Sequence, residues 1–223
     1  YKHEPANPNS LNDNIVLSML VDGNGSYWIG TRNKGLNKLD HSTNTFTHYL
    51  NNPANSNSLL SNSIQSLLED QAGVIWIGHF SNGLDAYDPE SGTFTHYLHD
   101  PADPGTITDN RIYSLIEDQD GIIWIGTYGG GLNRLDKNTG EISYYQYKET
   151  DPTTISSNAT WSLALDDSDR LWIGTFGGGV NVFDRFSQTF HYYKNIPDDT
   201  TSLIDDSIIR VFKDRQGKMW FGT

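Results

Sequence analysis

The sequence contains no cysteine. That excludes disulfide staples, thiolate catalysis and cysteine-based zinc sites together. Basic residues are scarce as well: 15 Lys and Arg stand against 28 Asp and Glu, a formal net charge of −13. An acidic field repels phosphate backbones and anionic bilayers, so no nucleic acid and no membrane surface is expected as a partner. No apolar run approaches the roughly 18–20 residues needed to span a bilayer, and no signal peptide is visible. A sustained 3.6-residue apolar stripe is missing, so no long helix is expected. The G-x-S-x-G, P-loop and H-E-x-x-H motifs are absent. The carboxylate pairs Asp166-Asp167, Asp198-Asp199 and Asp205-Asp206 fall in turns or loops, where solvation is the plainer role. The expectation is a non-enzyme without catalytic residues, cofactor or bound metal.

What the chain has is glycine, aromatic residues and repetition. Trp28, Trp76, Trp124, Trp172 and Trp220 stand 48 residues apart, each opening WIGT or a close variant of it. Asp22, Asp70, Asp118, Asp166 and Asp214 keep the same interval, as do Gly35, Gly83, Gly131 and Gly179. Tyr49, Tyr97, Tyr145 and Tyr193 complete the ladder. A fixed period of this length is the signature of a repeat architecture.

One unit reads as four short strands. In the third copy, residues 111–117 (RIYSLIE) form strand A and residues 122–127 (IIWIGT) form strand B. Residues 132–136 form strand C and residues 141–147 form strand D, with glycine turns between them. A linker rich in Pro, Asp, Asn, Ser and Thr leads to the next strand A. Four antiparallel strands at this period indicate an all-β fold, a β-propeller built from four-stranded blades. Blades are expected over 14–50, 62–98, 110–146 and 158–194, with a half-blade over 207–223, all in one propeller domain spanning 1–223. The repeated Trp is expected to fill the space between blades, since a Trp buries about 150–250 Å². The Asp of each D-x-x-G turn is expected to hold that turn by accepting backbone N–H bonds; the turn offers too few oxygen ligands for calcium. The fourth copy has Asp169 where the other turns have glycine.

With WIGT, the glycine turn, GLN-x-LD and F-x-x-Y in place, the unit resembles the two-component regulator propeller repeat. The third copy carries the likeness most fully, as NRIYSLIEDQDGIIWIGTYGGGLNRLDKNTGEISYY. The linker DPADPGTITDN is similar to that family's DP-x-DP-x-S-L-S-x-N stretch. The resemblance implies the periplasmic sensor part of a bacterial membrane receptor, joined elsewhere to a histidine kinase or diguanylate cyclase output domain. It also implies a small-molecule ligand, often a glycan breakdown product in relatives from gut Bacteroidetes. Such sensors tend to have about seven blades. This chain opens on Tyr1, aligned with the end of a strand D, and ends just after a strand B. It therefore reads as an excised fragment of a larger ring, or as one that completes its ring with other copies; an irregular five-blade closure is the remaining option. Unfinished blades invite self-association or contact with the rest of the receptor.

Structural positions repeat, whereas functional ones should differ between copies. In a propeller the D–A and B–C loops share the face where ligands usually bind, an argument from fold analogy. The B–C loops vary, with Arg32, Phe80, Tyr128 and Phe176 at one position. Near the start of strand A stand Leu17, Gln65, Tyr113, Trp161 and Ile209. His79 replaces the Thr of WIGT in one copy alone. Aromatic faces with nearby polar groups suit a sugar. A saccharide or other small-molecule site is therefore expected among Trp161, Tyr113, Tyr128, Phe176, Phe80, His79 and Arg32. The alternatives are a structural or dimerisation propeller without a ligand, or a propeller lyase or hydrolase. His48 and His96 share one position on the outer strands, where exposure is expected.

Overall fold

Alternation of β-branched and aromatic residues between glycine and Asp/Asn turns yields strands throughout. The computed structural model describes residues 1–185 and 187–223. The first sheet is β1 (Val16–Val21), β2 (Tyr27–Thr31), β3 (Leu36–Asp40) and β4 (Thr45–Tyr49). The second is β5 (Ile64–Glu69), β6 (Ile75–His79), β7 (Leu84–Asp88) and β8 (Thr93–Tyr97). The third is β9 (Ile112–Glu117), β10 (Ile122–Thr127), β11 (Leu132–Asp136) and β12 (Ile142–Tyr145). The fourth is β13 (Thr160–Leu165), β14 (Leu171–Thr175), β15 (Gly179–Asp184) and β16 (Thr189–Tyr193). A two-stranded sheet of β17 (Arg210–Lys213) and β18 (Met219–Gly222) follows. Each sheet is ordered as its strands occur in the chain. In the third repeat, strands B and C begin and end where the sequence puts them; strands A and D are shorter. The chain divides into two compact units, residues 1–99 with 110–112, and residues 100–109 with 113–223.

Within each unit the same devices recur. The ladder Asp accepts two amides of its turn on one carboxylate oxygen, as Asp22 does from Asn24 (3.0 Å) and Ser26 (2.8 Å). Its other oxygen accepts the indole N–H of the ladder Trp six residues on, from Trp28 to Asp22 at 2.8 Å through Trp220 to Asp214 at 2.8 Å. The spacing between Asp and Trp thus encodes a hydrogen bond as well as a turn, which the sequence pattern alone does not reveal. A buried Trp needs such a partner, because an unpaired indole N–H carries a desolvation cost of about 1–3 kcal/mol. Trp28, Trp76 and Trp124 are buried, Trp172 is partly buried and Trp220 is 59% exposed.

The glycine of WIGT is dictated by close approach. A Cβ on Gly30 would lie 2.6 Å from Ile64 Cγ2, and one on Gly174 would lie 2.8 Å from Ile208 Cγ2. In both cases the partner lies in the following repeat, so strand B of one sheet packs bare backbone against the next. Trp28, Leu36, Leu59, Ile64, Ile77 and Tyr87 form one core of the first unit. Trp124, Leu132, Ile155, Leu171, Phe183 and Phe190 form its counterpart in the second.

The linkers are part of the repeat. Leu59, Ile107 and Ile155 point an apolar anchor inward from each linker and are almost wholly buried. A hydroxyl beside each anchor accepts an amide six residues back, as Ser58 does from Asn52 (2.9 Å) and Thr106 from Asp100 (3.0 Å). Asn37, Asn133 and Asn181 then accept linker amides from Asn12, Thr108 and Ser156 at 2.9–3.1 Å. A composition that reads as loop is therefore a fixed strap.

Asp169, in place of the turn glycine, keeps the left-handed backbone at φ 58°. Its carboxylate pairs with Arg185, which also binds Asp118 at 2.6 Å and Asp120 at 3.3 Å. Burial pushes the Asp169 pKa up, Arg185 works against that rise, and the neighbouring Asp118 and Asp120 carboxylates add to it.

Candidate functional site

The geometry of the proposed site begins with a β-bulge. Strand A pairs with strand B in register except near its start. Val16 faces Thr31 and Ser18 faces Gly30, so Leu17 is skipped. Gln65 is skipped in the second sheet and Trp161 in the fourth. A bulge leaves one residue out of the ladder and re-aims its side chain. That residue differs in chemistry between the copies, as Leu17, Gln65 and Trp161.

In the second unit the re-aimed Trp161 is the centre of a ring stack. Its indole lies 4.7 Å from the Phe176 ring with the planes 22° apart, and 5.8 Å from the Tyr113 ring with the planes 18° apart. Tyr128 lies 5.6 Å from Tyr113 and 6.5 Å from Trp161. The B–C loop is tied to the start of strand A by the Phe176 amide donating to the Ala159 carbonyl (3.0 Å), which brings Phe176 alongside the indole. Phe176 is 50% exposed and Tyr128 40%, whereas Trp161 and Tyr113 are half-buried. The Trp161 indole N–H is buried and, among the described residues, has no hydrogen-bond partner, unlike the five ladder indoles.

Four of the seven expected site residues therefore meet in one platform. The other three lie in the first unit. Arg32 and Phe80 hold the corresponding loop position and are exposed. His79 is different, and the expectation of a ligand-facing ring is corrected. It is fully buried, with Nε2 2.7 Å from Asp85 Oδ2. His96, expected to be exposed, has Nδ1 2.6 Å from Asp85 Oδ1 and Nε2 2.8 Å from the Ser56 carbonyl. Two histidines thus converge on one buried carboxylate. The signal was present in the sequence: Asp85 interrupts the Asn37, Asn133, Asn181 series in the same copy in which His79 interrupts WIGT. Among the described residues, no group of three or more His, Asp or Glu is arranged to hold a metal ion.

Residues 10–33, 58–81, 106–129, 154–177 and 202–223 each match the model of the family described as two component regulator propeller. These stretches together make up more than half of the chain. The chain is similar, at 26% identity and a TM-score of 0.80, to the extracellular domain of what is named a hybrid two component system, BT3049 from B. thetaiotaomicron. That likeness covers 96% of this chain and 28% of the other. The extracellular domain of BT4673 from the same organism, named a one component system, matches at 25% identity and a TM-score of 0.77 over 97% of this chain and 27% of that one. This chain therefore spans little more than a quarter of either domain. Virginiamycin B lyase from Staphylococcus aureus aligns at 18% identity and a TM-score of 0.70, over 96% of this chain and 65% of the lyase, which is a likeness of fold alone. No curated protein matches. The four-stranded antiparallel sheets, the half-sheet that follows them and these neighbours identify the fold as that of a β-propeller.

Proposed function

Because this chain belongs to the two component regulator propeller family, we propose that it is a ligand-sensing segment of a bacterial membrane signalling receptor. Its ligand is a saccharide, or another small molecule with an apolar face, that stacks on Tyr113, Tyr128, Trp161 and Phe176. The periplasm is its proposed location, in the sensor part of an inner-membrane receptor. The similarity to extracellular domains of signalling systems supports that location.

The observation that carries the reading is the ring platform itself. Four aromatic side chains gather at positions where the repeat does not need them, and two are at least 40% exposed. A sugar ring covering about 100 Å² of that surface gains on the order of 2–3 kcal/mol from apolar contact. The unpartnered Trp161 N–H adds a donor whose burial costs about 1–3 kcal/mol until an acceptor reaches it. A small rotation of the indole would offer it to a hydroxyl or ring oxygen. The proposal rests on these four residues of the second unit, and His79 is not among them.

The test is thermal melting of the chain against a panel of oligosaccharides, with Trp161→Ala as the control. A stabilising shift that disappears in the variant is the expected result. If the shift survives in Trp161→Ala, the ligand binds elsewhere. If no sugar shifts the melting, the chain has a structural role in its receptor.

A further inference from the structure

Beside an ionised Asp85, a count of donors makes His96 in the first unit a cation. Its Nε2 faces the Ser56 carbonyl at 2.8 Å, and its Nδ1 faces Asp85 Oδ1 at 2.6 Å. A carbonyl oxygen only accepts, and so does an ionised carboxylate. Both ring nitrogens must then carry protons, which a neutral imidazole cannot provide. Asp85 is fully buried, and its second oxygen accepts the Leu60 N–H at 2.9 Å and faces His79 Nε2 at 2.7 Å. Ser56 and Leu60 both belong to the linker 51–63 that joins the first repeat to the second. The Phe94 ring stacks beside His96 at 6.5 Å.

We infer that His96 is an imidazolium that bolts the 51–63 linker to the buried Asp85 carboxylate, and that loss of its proton releases the linker at Ser56. A neutral His96 keeps one N–H. That proton stays on Nδ1, donated to Asp85, because a hydrogen bond to a charged acceptor is the stronger one. The Nε2 lone pair then points at the Ser56 carbonyl, and attraction becomes repulsion. Burial works against the charge on His96, yet the Ser56 carbonyl and Asp85 together hold its pKa above the ordinary histidine value.

Among the described residues, the other ionisable groups on the elements around the trio are held by partners of their own or kept neutral. The linker 51–63 carries no titratable side chain. On the strands around the trio, Asp88 is occupied by the Glu90 amide and the Ser91 hydroxyl, and Glu69 by the Gly23 amide. The Tyr87 hydroxyl donates to Tyr49, and burial keeps the Tyr97 phenol protonated. His48, at the equivalent position of the first repeat, also meets a linker carbonyl, that of Ser10, at 2.9 Å. It faces Asn37 across the strand pair rather than an aspartate. The third and fourth repeats have Tyr144 and Tyr192 there. The latch is therefore specific to one linker of the chain.

Two measurements on the intact chain test it. Long-range ¹H–¹⁵N NMR of the wild-type ring nitrogens should show His96 doubly protonated at and above the ordinary histidine pKa of about 6.5. Amide exchange of Leu60 should then be followed against that of Thr108, which makes the corresponding bond to the neutral Asn133. The ratio of the two rates cancels the intrinsic pH dependence of exchange. It should stay constant while His96 is charged and rise by roughly tenfold or more as His96 deprotonates, the size expected for losing a charge-assisted bond. In His96→Tyr, which places the side chain of the third and fourth repeats at the site, the ratio should be flat with pH. A neutral His96 tautomer below pH 6.5, or a wild-type ratio that does not change as His96 titrates, overturns the proposal.

Discussion

The second and third repeats solve one packing problem in two ways. In the third, Thr127 donates to the Gly131 carbonyl at 2.8 Å, and Asn133 exchanges hydrogen bonds with Thr108 across the linker. Every group there is neutral. In the second, His79 and Asp85 stand at those positions, and His96 replaces Tyr144 on the outer strand. The strands and their register are nearly the same. What differs is that one linker is held by neutral amides and the other by a buried charge, which is strong when paired and expensive when not. The backbone thus tolerates either chemistry, but only one of them responds to protons.

The largest effect is expected from breaking the charged version. Asp85→Ala leaves the Leu60 N–H, His79 and His96 without their acceptor, and should cost about 3–5 kcal/mol in urea unfolding. The matching Asn133→Ala in the neutral version should cost only about 1–3 kcal/mol. Equal losses would erase the distinction between the two repeats. Next is Asp118→Ala, which removes the acceptor of the Trp124 indole, of two turn amides and of Arg185. It should cost about 3 kcal/mol, while Asp214→Ala, beside the exposed Trp220, should be clearly milder in the same assay.

Converting the second repeat into the third sharpens the comparison further. The triple variant His79→Thr, Asp85→Asn, His96→Tyr should fold within about 1 kcal/mol of wild type, since those residues already fit this backbone. It should lose one component of the pH dependence. The His96 pKa is raised in the folded state, so its contribution to wild-type stability is complete below about pH 6.5 and is lost as pH rises through the folded value. Melting temperatures of wild type and variant across pH 5–9 check the sign: only the wild type should show this decline. The smallest effect concerns Asp169. Replacement by glycine relieves a positive φ worth about 1 kcal/mol but gives up the pairing with Arg185, so Asp169→Gly should lie within about 1 kcal/mol of wild type. Asp169→Ala loses the pairing without the relief and should be the less stable of the two.

The architecture was legible in the sequence because packing and turn constraints act identically on every copy. Trp, Asp and Gly at one interval gave the strands, the turns and the interior. Three features were hidden for physical reasons. Asp and Trp look like separate devices in the sequence, since six residues of spacing does not reveal that a turn folds the carboxylate back onto the indole. The linkers read as loops because their hydrogen bonds come from Ser, Thr and Asn, the residues that also make loops. The bulge that re-aims Trp161 leaves no mark in composition. As for the platform, comparing copies found its four rings, because a ring stack needs only neighbouring repeats to break the pattern at matching positions. The same comparison put His79 beside them, although a histidine at the end of strand B points into the sheet and not out of it.

The indole hydrogen bonds have a spectroscopic consequence. Six tryptophans usually crowd a spectrum beyond use. Here five indole N–H protons are bound to carboxylates, and the Trp161 proton has no partner among the described residues. The five should resonate together at low field, and the sixth should stand apart from them. The chain therefore carries an internal label at the centre of its aromatic platform, one that needs no isotope editing by residue type and no chemical tag. Any molecule that settles on the rings would be seen first in that single line.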